Sequence, residues 1–180
     1  PVESTFALMR RVFPNAKRIG LVWNPSEANS EACTLKAHAA ARKYAFELVE
    51  KTVSRTDEVK DAVTALAVSG IDLFLTSGDN TVILAQTTTA RVLQEYKIPY
   101  FTNDPSDVER GAFLSVGADY YSVGRETAKT AIRVMEGKAP ADIPIREYVP
   151  EAIGVHLGLA GRYGITIPED ILKKATTVKR

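Results

Sequence analysis

The chain has 180 residues, 45% of them hydrophobic, which suits one sizeable core in a domain or a domain and a half and excludes a disordered chain. Lys and Arg number 23 against 22 Asp and Glu, so no charge excess points to nucleic acid or an anionic membrane surface, and a small partner is expected. Cys33 is the only cysteine, which excludes an internal disulfide and a thiolate-rich metal cage but leaves the compartment open.

No apolar run approaches the ~18 residues of a membrane span, and no basic-then-apolar leader is present. The first residue is Pro1 rather than Met, so the chain is expected to be a piece of a longer protein. Residues 3–13, ESTFALMRRVF, set Phe6, Met9, Val12 and Phe13 on one helical face, and Pro14 stops the pattern. RIGLVW follows as a buried strand, then SEACTLKAHAAARKYAF as an Ala-rich helix and ELVEKTV as a second strand. TDEVKDAVTALAVSG is a helix with Thr56 or Asp57 as cap and Gly70 as stop. IDLFLTS is a third strand, NTVILAQTTTARVLQEY a helix, IPYFTN a fourth strand, GAFLSVGAD a fifth and YSVGRETAKTAIRVMEG a helix.

Short apolar strands alternating with helices are the signature of βαβ units in a parallel sheet covered on both faces. The predicted fold is therefore α/β, a doubly wound parallel sheet with strand order 2-1-3-4-5. Beyond Gly137 the texture changes: residues 138–171 carry four of the nine prolines and no long periodic helix, and read as a wrapping tail that ends in a short helix.

In such a sheet, ligands bind beyond the carboxyl ends of the strands, so the βα loops are the places to read. The first, NPSEANS, offers Asn24, Ser26, Glu27, Asn29 and Ser30; small polar groups at a helix start cap the helix and leave room for an anion beside its N–H groups. The third, TSGDNT, brings Ser77, Asp79, Asn80 and Thr81, and the Asp79 carboxylate suits a cation, so the two loops together suit a zwitterion. The fourth, NDPSDVERG, adds Asp104 and Asp107; Asp104 before Pro105 is also a turn former. Trp23, at the end of the first strand, could stack on a ligand or join the core, and Tyr120 and Tyr121 could cover a cleft or pack.

Catalytic constellations are missing. No nucleophile elbow, phosphate loop, zinc-binding H-E-x-x-H or dinucleotide glycine turn occurs, and neither His38, His156 nor Cys33 sits where a base or nucleophile would. No cofactor and no metal are expected. The loops offer recognition without a means of breaking bonds.

At these residues the sequence resembles the ABC-transporter substrate-binding protein family that includes tryptophan and tyrosine binders. The matching stretches are FPNAKRIGLVWNPSEANS, SGDNTV, the run from KIPYFTND to APADIPI, and GLAGRYGITIPEDILKKA. The resemblance implies a periplasmic-binding-protein-like, flavodoxin-like lobe, with residues 1–118 as the second lobe of a two-lobed protein and 119–180 as a crossover helix and wrapping tail. It implies an extracytoplasmic solute-binding component, anchored as a lipoprotein or free in the periplasm, that holds a small ligand such as an amino acid between its lobes and delivers it to a membrane permease. By the same likeness Ser26, Glu27, Asn29 and Ser30 match the loop that meets the ligand's backbone groups, and Asp79, Asn80 and Thr81 the second contact loop. Trp23 stands where relatives often carry Tyr, and His156 where they more usually carry Asn. The fragment's crossover helix, with Val123, Thr127, Ala131 and Val134 on its apolar face, is expected to pack back or to form a dimer. Two other readings remain: the effector-binding core of a transcription regulator, and a small α/β enzyme.

Overall fold

The computed structural model describes residues 1–145 and 148–180; of the wrapping tail, residues 146 and 147 lie outside the described residues. Helix α1 (Val2–Val12) buries Phe6 and Met9 completely, and strand β1 (Arg18–Trp23) follows with Ile19 to Val22 buried. Helix α2 (Ala28–Lys43) turns Ala37, Ala40 and Ala41 toward the sheet, and these small side chains let it lie close. It ends earlier than its pattern suggests. Ala45 adopts φ 55°, and the reversal drops Phe46 into the core, where the Arg10 guanidinium covers its ring at 3.8 Å.

Strand β2 (Glu47–Thr52) leads through a 3-10 turn at Thr56–Glu58 into helix α3 (Val59–Val68). Neither Thr56 nor Asp57 caps it by side chain; instead the Glu58 carboxylate reaches back to accept from the Ser54 N–H at 2.8 Å. Gly70, at φ +79°, closes the helix in the left-handed region that glycine adopts without strain. After strand β3 (Leu73–Leu75) the single helix expected over residues 80–96 is two: α4 (Asn80–Ile83) and α5 (Gln86–Glu95). The ladder breaks where the Ala85 N–H bonds Val82 O, three residues back, with Leu84 exposed at the joint.

Strand β4 (Tyr100–Thr102), a 3-10 helix (Pro105–Arg110) and strand β5 (Leu114–Ala118) complete the parallel array. Alternate residues face opposite sides: Leu73, Leu75 and Phe101 join the core under α1 and α2, while Phe74 and Tyr100 join the core under α3 and α5. That alternation is what winding on both faces requires of an inner strand.

Helix α6 (Tyr120–Met135) leaves the sheet with no buried residue, and with Pro140, Ile143, Pro144, Ile145 and Tyr148 it frames an open groove of about 690 Å³. The chain then returns as strand β6 (Glu151–His156), helix α7 (Leu157–Tyr163), helix α8 (Glu169–Lys174) and strand β7 (Ala175–Lys179). The sheet runs β2-β1-β3-β4-β5-β6-β7, so the predicted order of the first five strands is observed. The tail, read as wrapping, supplies two further strands, β6 antiparallel to β5 and β7 parallel to β6. Gly154 and His156 within β6, and the polar alternation of ATTVK at the sheet's edge, gave neither strand an apolar run to announce it.

Candidate functional site

The carboxyl ends of β1, β3 and β4 bring the first, third and fourth βα loops to one edge of the sheet. Asn24, buried just after β1, shapes the first loop: its Oδ1 accepts from the Ser26 N–H at 2.9 Å, and its Nδ2 donates to Thr81 Oγ1 at 2.9 Å. Glu27 then crosses to the third loop. Its carboxylate accepts from the Asn80 N–H (2.7 Å), the Thr81 N–H (2.9 Å) and the Thr81 hydroxyl (2.5 Å), which engages the first free amides of α4. Partial burial works against the Glu27 charge, but these donors and the Asn29 amide outweigh it and hold the carboxyl below its ordinary pKa.

Asp79 makes the reciprocal crossing. Oδ1 accepts from the Val82 N–H at 2.7 Å as the cap of α4, while Oδ2 accepts from the Asn24 N–H (2.7 Å) and the Ser30 hydroxyl (2.5 Å) of the first loop. Asp79 and Ser30 are 5% and 1% exposed, so these bonds are shielded from water. The carboxylate read from sequence as a partner for a ligand cation therefore has three protein donors of its own. Two acidic side chains, one from each loop, lock the loops to each other.

What remains outward is a set of neutral groups. Ser26, Asn29 and Asn80 are exposed, with Asn29 donating to Gly78 O at 2.9 Å, while Ser77 lies buried at the root of the third loop. In the fourth loop Asp104 is the turn former: it accepts from both the Ser106 N–H and the Ser106 hydroxyl at 2.8 Å and caps the 3-10 helix. Asp107 is fully buried, with Arg110 at 2.6 Å. Nearby, burial pushes the Tyr100 phenol above its ordinary range against the lowering effect of its bond to Thr76, so it stands as a neutral donor.

Trp23 packs against the core under α1 and α2, and its indole N–H donates to Glu50 at 3.2 Å. Tyr120 and Tyr121 are exposed at the start of α6. Sequence reasoning passed over Asn103, half-buried between β4 and the Asp104 turn; its signal was its place, directly at the end of an inner strand.

His38 lies 2.6 Å from Glu50, and His156 Nδ1 accepts from the Leu159 N–H as the cap of α7, so both imidazoles have structural partners. Among the described residues no three His, Cys, Asp or Glu side chains gather as a metal ion would need. Among the same residues no helix is long and apolar enough to cross a membrane. The edge offers hydrogen bonds to a small polar molecule.

A tyrosine-binding protein of Clostridioides difficile (strain R20291) is 35% identical over 144 residues, 80% of this chain and 41% of that protein. The crystal structure of a conserved domain protein from Vibrio cholerae superposes with a TM-score of 0.86 at 35% identity, covering 99% of this chain and 60% of that one. An ABC domain from Streptococcus pneumoniae in complex with L-Trp gives 0.85 at 30% identity, covering 99% and 60%. The chain thus spans less than two thirds of the length of each of these relatives. The family model for ABC transporter substrate binding protein matches residues 1–179, and the chain belongs to that family.

Proposed function

We propose that this chain is the second lobe of a two-lobed solute-binding protein that holds a free amino acid between its lobes, hands it to the permease of an ABC importer and performs no chemistry. The observation that carries the reading is the pair of cross-locked loops: they form one pre-shaped polar edge of neutral amides and hydroxyls, which suits recognition, and the tyrosine-binding and L-Trp-bound relatives favour an amino acid, aromatic ones first. Ser26, Ser77, Asn80 and Asn29 face the ligand; Asn24, Glu27, Ser30, Asp79, Thr81 and Asp104 set their positions, and Trp23 backs the first loop. Residues 1–118 form the bulk of the lobe, and the returning strands β6 and β7 complete its sheet. The crossing begins with α6 at the end of β5, and β6 marks the return. The protein works outside the cytoplasmic membrane, free or lipid-anchored.

Calorimetry on the full-length protein against the twenty amino acids, with sugars and nucleosides as controls, is expected to give at least one amino acid with micromolar or tighter affinity, about −8 kcal/mol. Asn29→Ala and Asp79→Ala each weaken it, the second through the loops rather than by direct contact. Binding of a sugar or nucleoside instead, with both variants neutral, would sink the ligand class and the site together.

A further inference from the structure

The polar groups at the carboxyl edge divide into those engaged by the protein and those left over, and Asn103 belongs to the second set. It follows β4 directly and is half-buried, yet its side-chain amide makes no hydrogen bond among the described residues. That amide keeps its hydrogen-bonding capacity at the edge and, unlike a fully buried orphan, is open to an incoming molecule. Its surroundings are built. A side chain on Gly78 would begin 3.7 Å from Asn103 Nδ2 and 3.2 Å from Cys33 Sγ, and Gly78 O is the atom that receives Asn29. Asn29, Gly78 and Asn103 therefore form one row across the first, third and fourth loops.

The backbone is pinned as well. A Cβ on Gly117 would stand 2.1 Å from Asn103 O, and one on Gly154 would stand 2.2 Å from Pro105 O. Glycines in β5 and β6 thus let the backbone of the fourth loop lie close on the sheet, which sets the height from which the Asn103 side chain starts.

Resting on the amino-acid reading above, we propose that the Asn103 amide is a ligand-contacting, specificity-determining group of this lobe, and that Gly117 holds it in place. An amide can donate to the ligand's carboxylate or accept from its ammonium, so it serves a zwitterion without adding charge to the edge.

The test uses the full-length protein and the amino acid it binds in the panel above. Asn103→Ala is expected to weaken binding about tenfold or more while the melting temperature stays within about 2 °C of wild type. Asn103→Asp then reads which end is met: further loss if the amide faces the carboxylate, recovery if it faces the ammonium, and either sign supports contact. Gly117→Ala, which pushes the Asn103 carbonyl away while keeping the amide, weakens binding as well; if that variant does not fold, the Asn103 pair decides. An Asn103→Ala affinity within twofold of wild type, or a loss matched by a comparable fall in melting temperature, overturns the inference and leaves amino-acid binding intact. A wild-type protein that binds no amino acid removes both.

Discussion

Helices α1 and α6 carry the same kind of pattern, an apolar stripe on an otherwise polar helix, and the molecule uses them in opposite ways. In α1 the stripe is covered: Phe6 and Met9 are 0% exposed, and Phe6 meets Phe46 edge-on with ring centroids 6.1 Å apart. In α6 no residue is buried, and Ile132 and Met135 are 51% and 86% exposed. The pattern states that a helix has an apolar face. What covers that face is set by the chain around it, and for α1 the cover is the lobe's own sheet and α2.

The largest test of the contrast is truncation on each face. Phe6→Ala is expected to destabilise the lobe by about 3–5 kcal/mol, because the transfer loss and the cavity add. Ile132→Ala, on the open stripe, is expected to stay within about 0.5 kcal/mol. Urea unfolding of the isolated chain measures both. A loss above about 2 kcal/mol for Ile132→Ala would show that the helix is covered in solution, by its own lobe or by a second copy, and light scattering distinguishes the two.

Next comes the loop lock, a polar element on the covered side. Asp79→Ala removes the α4 cap and strands the buried Asn24 N–H and Ser30 hydroxyl, for an expected loss of about 2–4 kcal/mol. Amide exchange should quicken at Asn24 and Val82 together, since one carboxylate holds both. Exchange that quickens at only one of them would mean that the loops are not locked as a pair.

A gentler comparison uses two glycines. A Cβ at Gly20 in β1 would stand 2.4 Å from Ile71 Cδ1, so Gly20→Ala is expected to cost about 1–3 kcal/mol through overpacking. Gly124 in α6 has nothing within 4 Å of the corresponding position, and Gly124→Ala should raise helix content with up to about 1 kcal/mol of local gain. Circular dichroism with urea titration separates the two. A destabilising Gly124→Ala would reveal a neighbour packed on α6.

The sequence carried four of the first five strands because each held a short apolar run, it carried β2, ELVEKT, by its place between two helices, and it carried their order because crossovers are right-handed. It did not carry β6 and β7, whose Gly154, His156 and alternating threonines lack that run, or the break at Leu84, where the Ala85 N–H turns to Val82 O. The site divides the same way. Composition located the loops, since Asn, Ser and Asp collect at helix starts. It could not tell a carboxylate that faces ligand from one that faces the protein's own donors, because Glu27 and Asp79 find most of theirs more than 45 positions away. Asn103 was hidden for a related reason: one amide at a strand end has no pattern until its neighbours are in place.

The smallest effect lies where the chain comes back from the uncovered segment. His156 closes β6 and caps α7, its Nδ1 accepting from the Leu159 N–H at 3.3 Å, which requires the neutral ring. Burial first, then the nearby Lys179 ammonium and Arg162, lower its pKa from the ordinary 6.5, with Glu109 opposing them. Because the folded value is depressed, the unfolded chain binds the extra proton first as pH falls. The contribution is therefore present above the ordinary value and is lost as pH drops from about 6.5 through the lowered folded value. The urea midpoint should fall slightly between pH 7.5 and 5, and His156→Asn, which keeps a capping acceptor without a titrating ring, should flatten that part of the profile while leaving stability at pH 7.5 nearly unchanged. An unaltered slope in His156→Asn would assign the pH dependence to the carboxylates and leave the return of the chain held by packing alone.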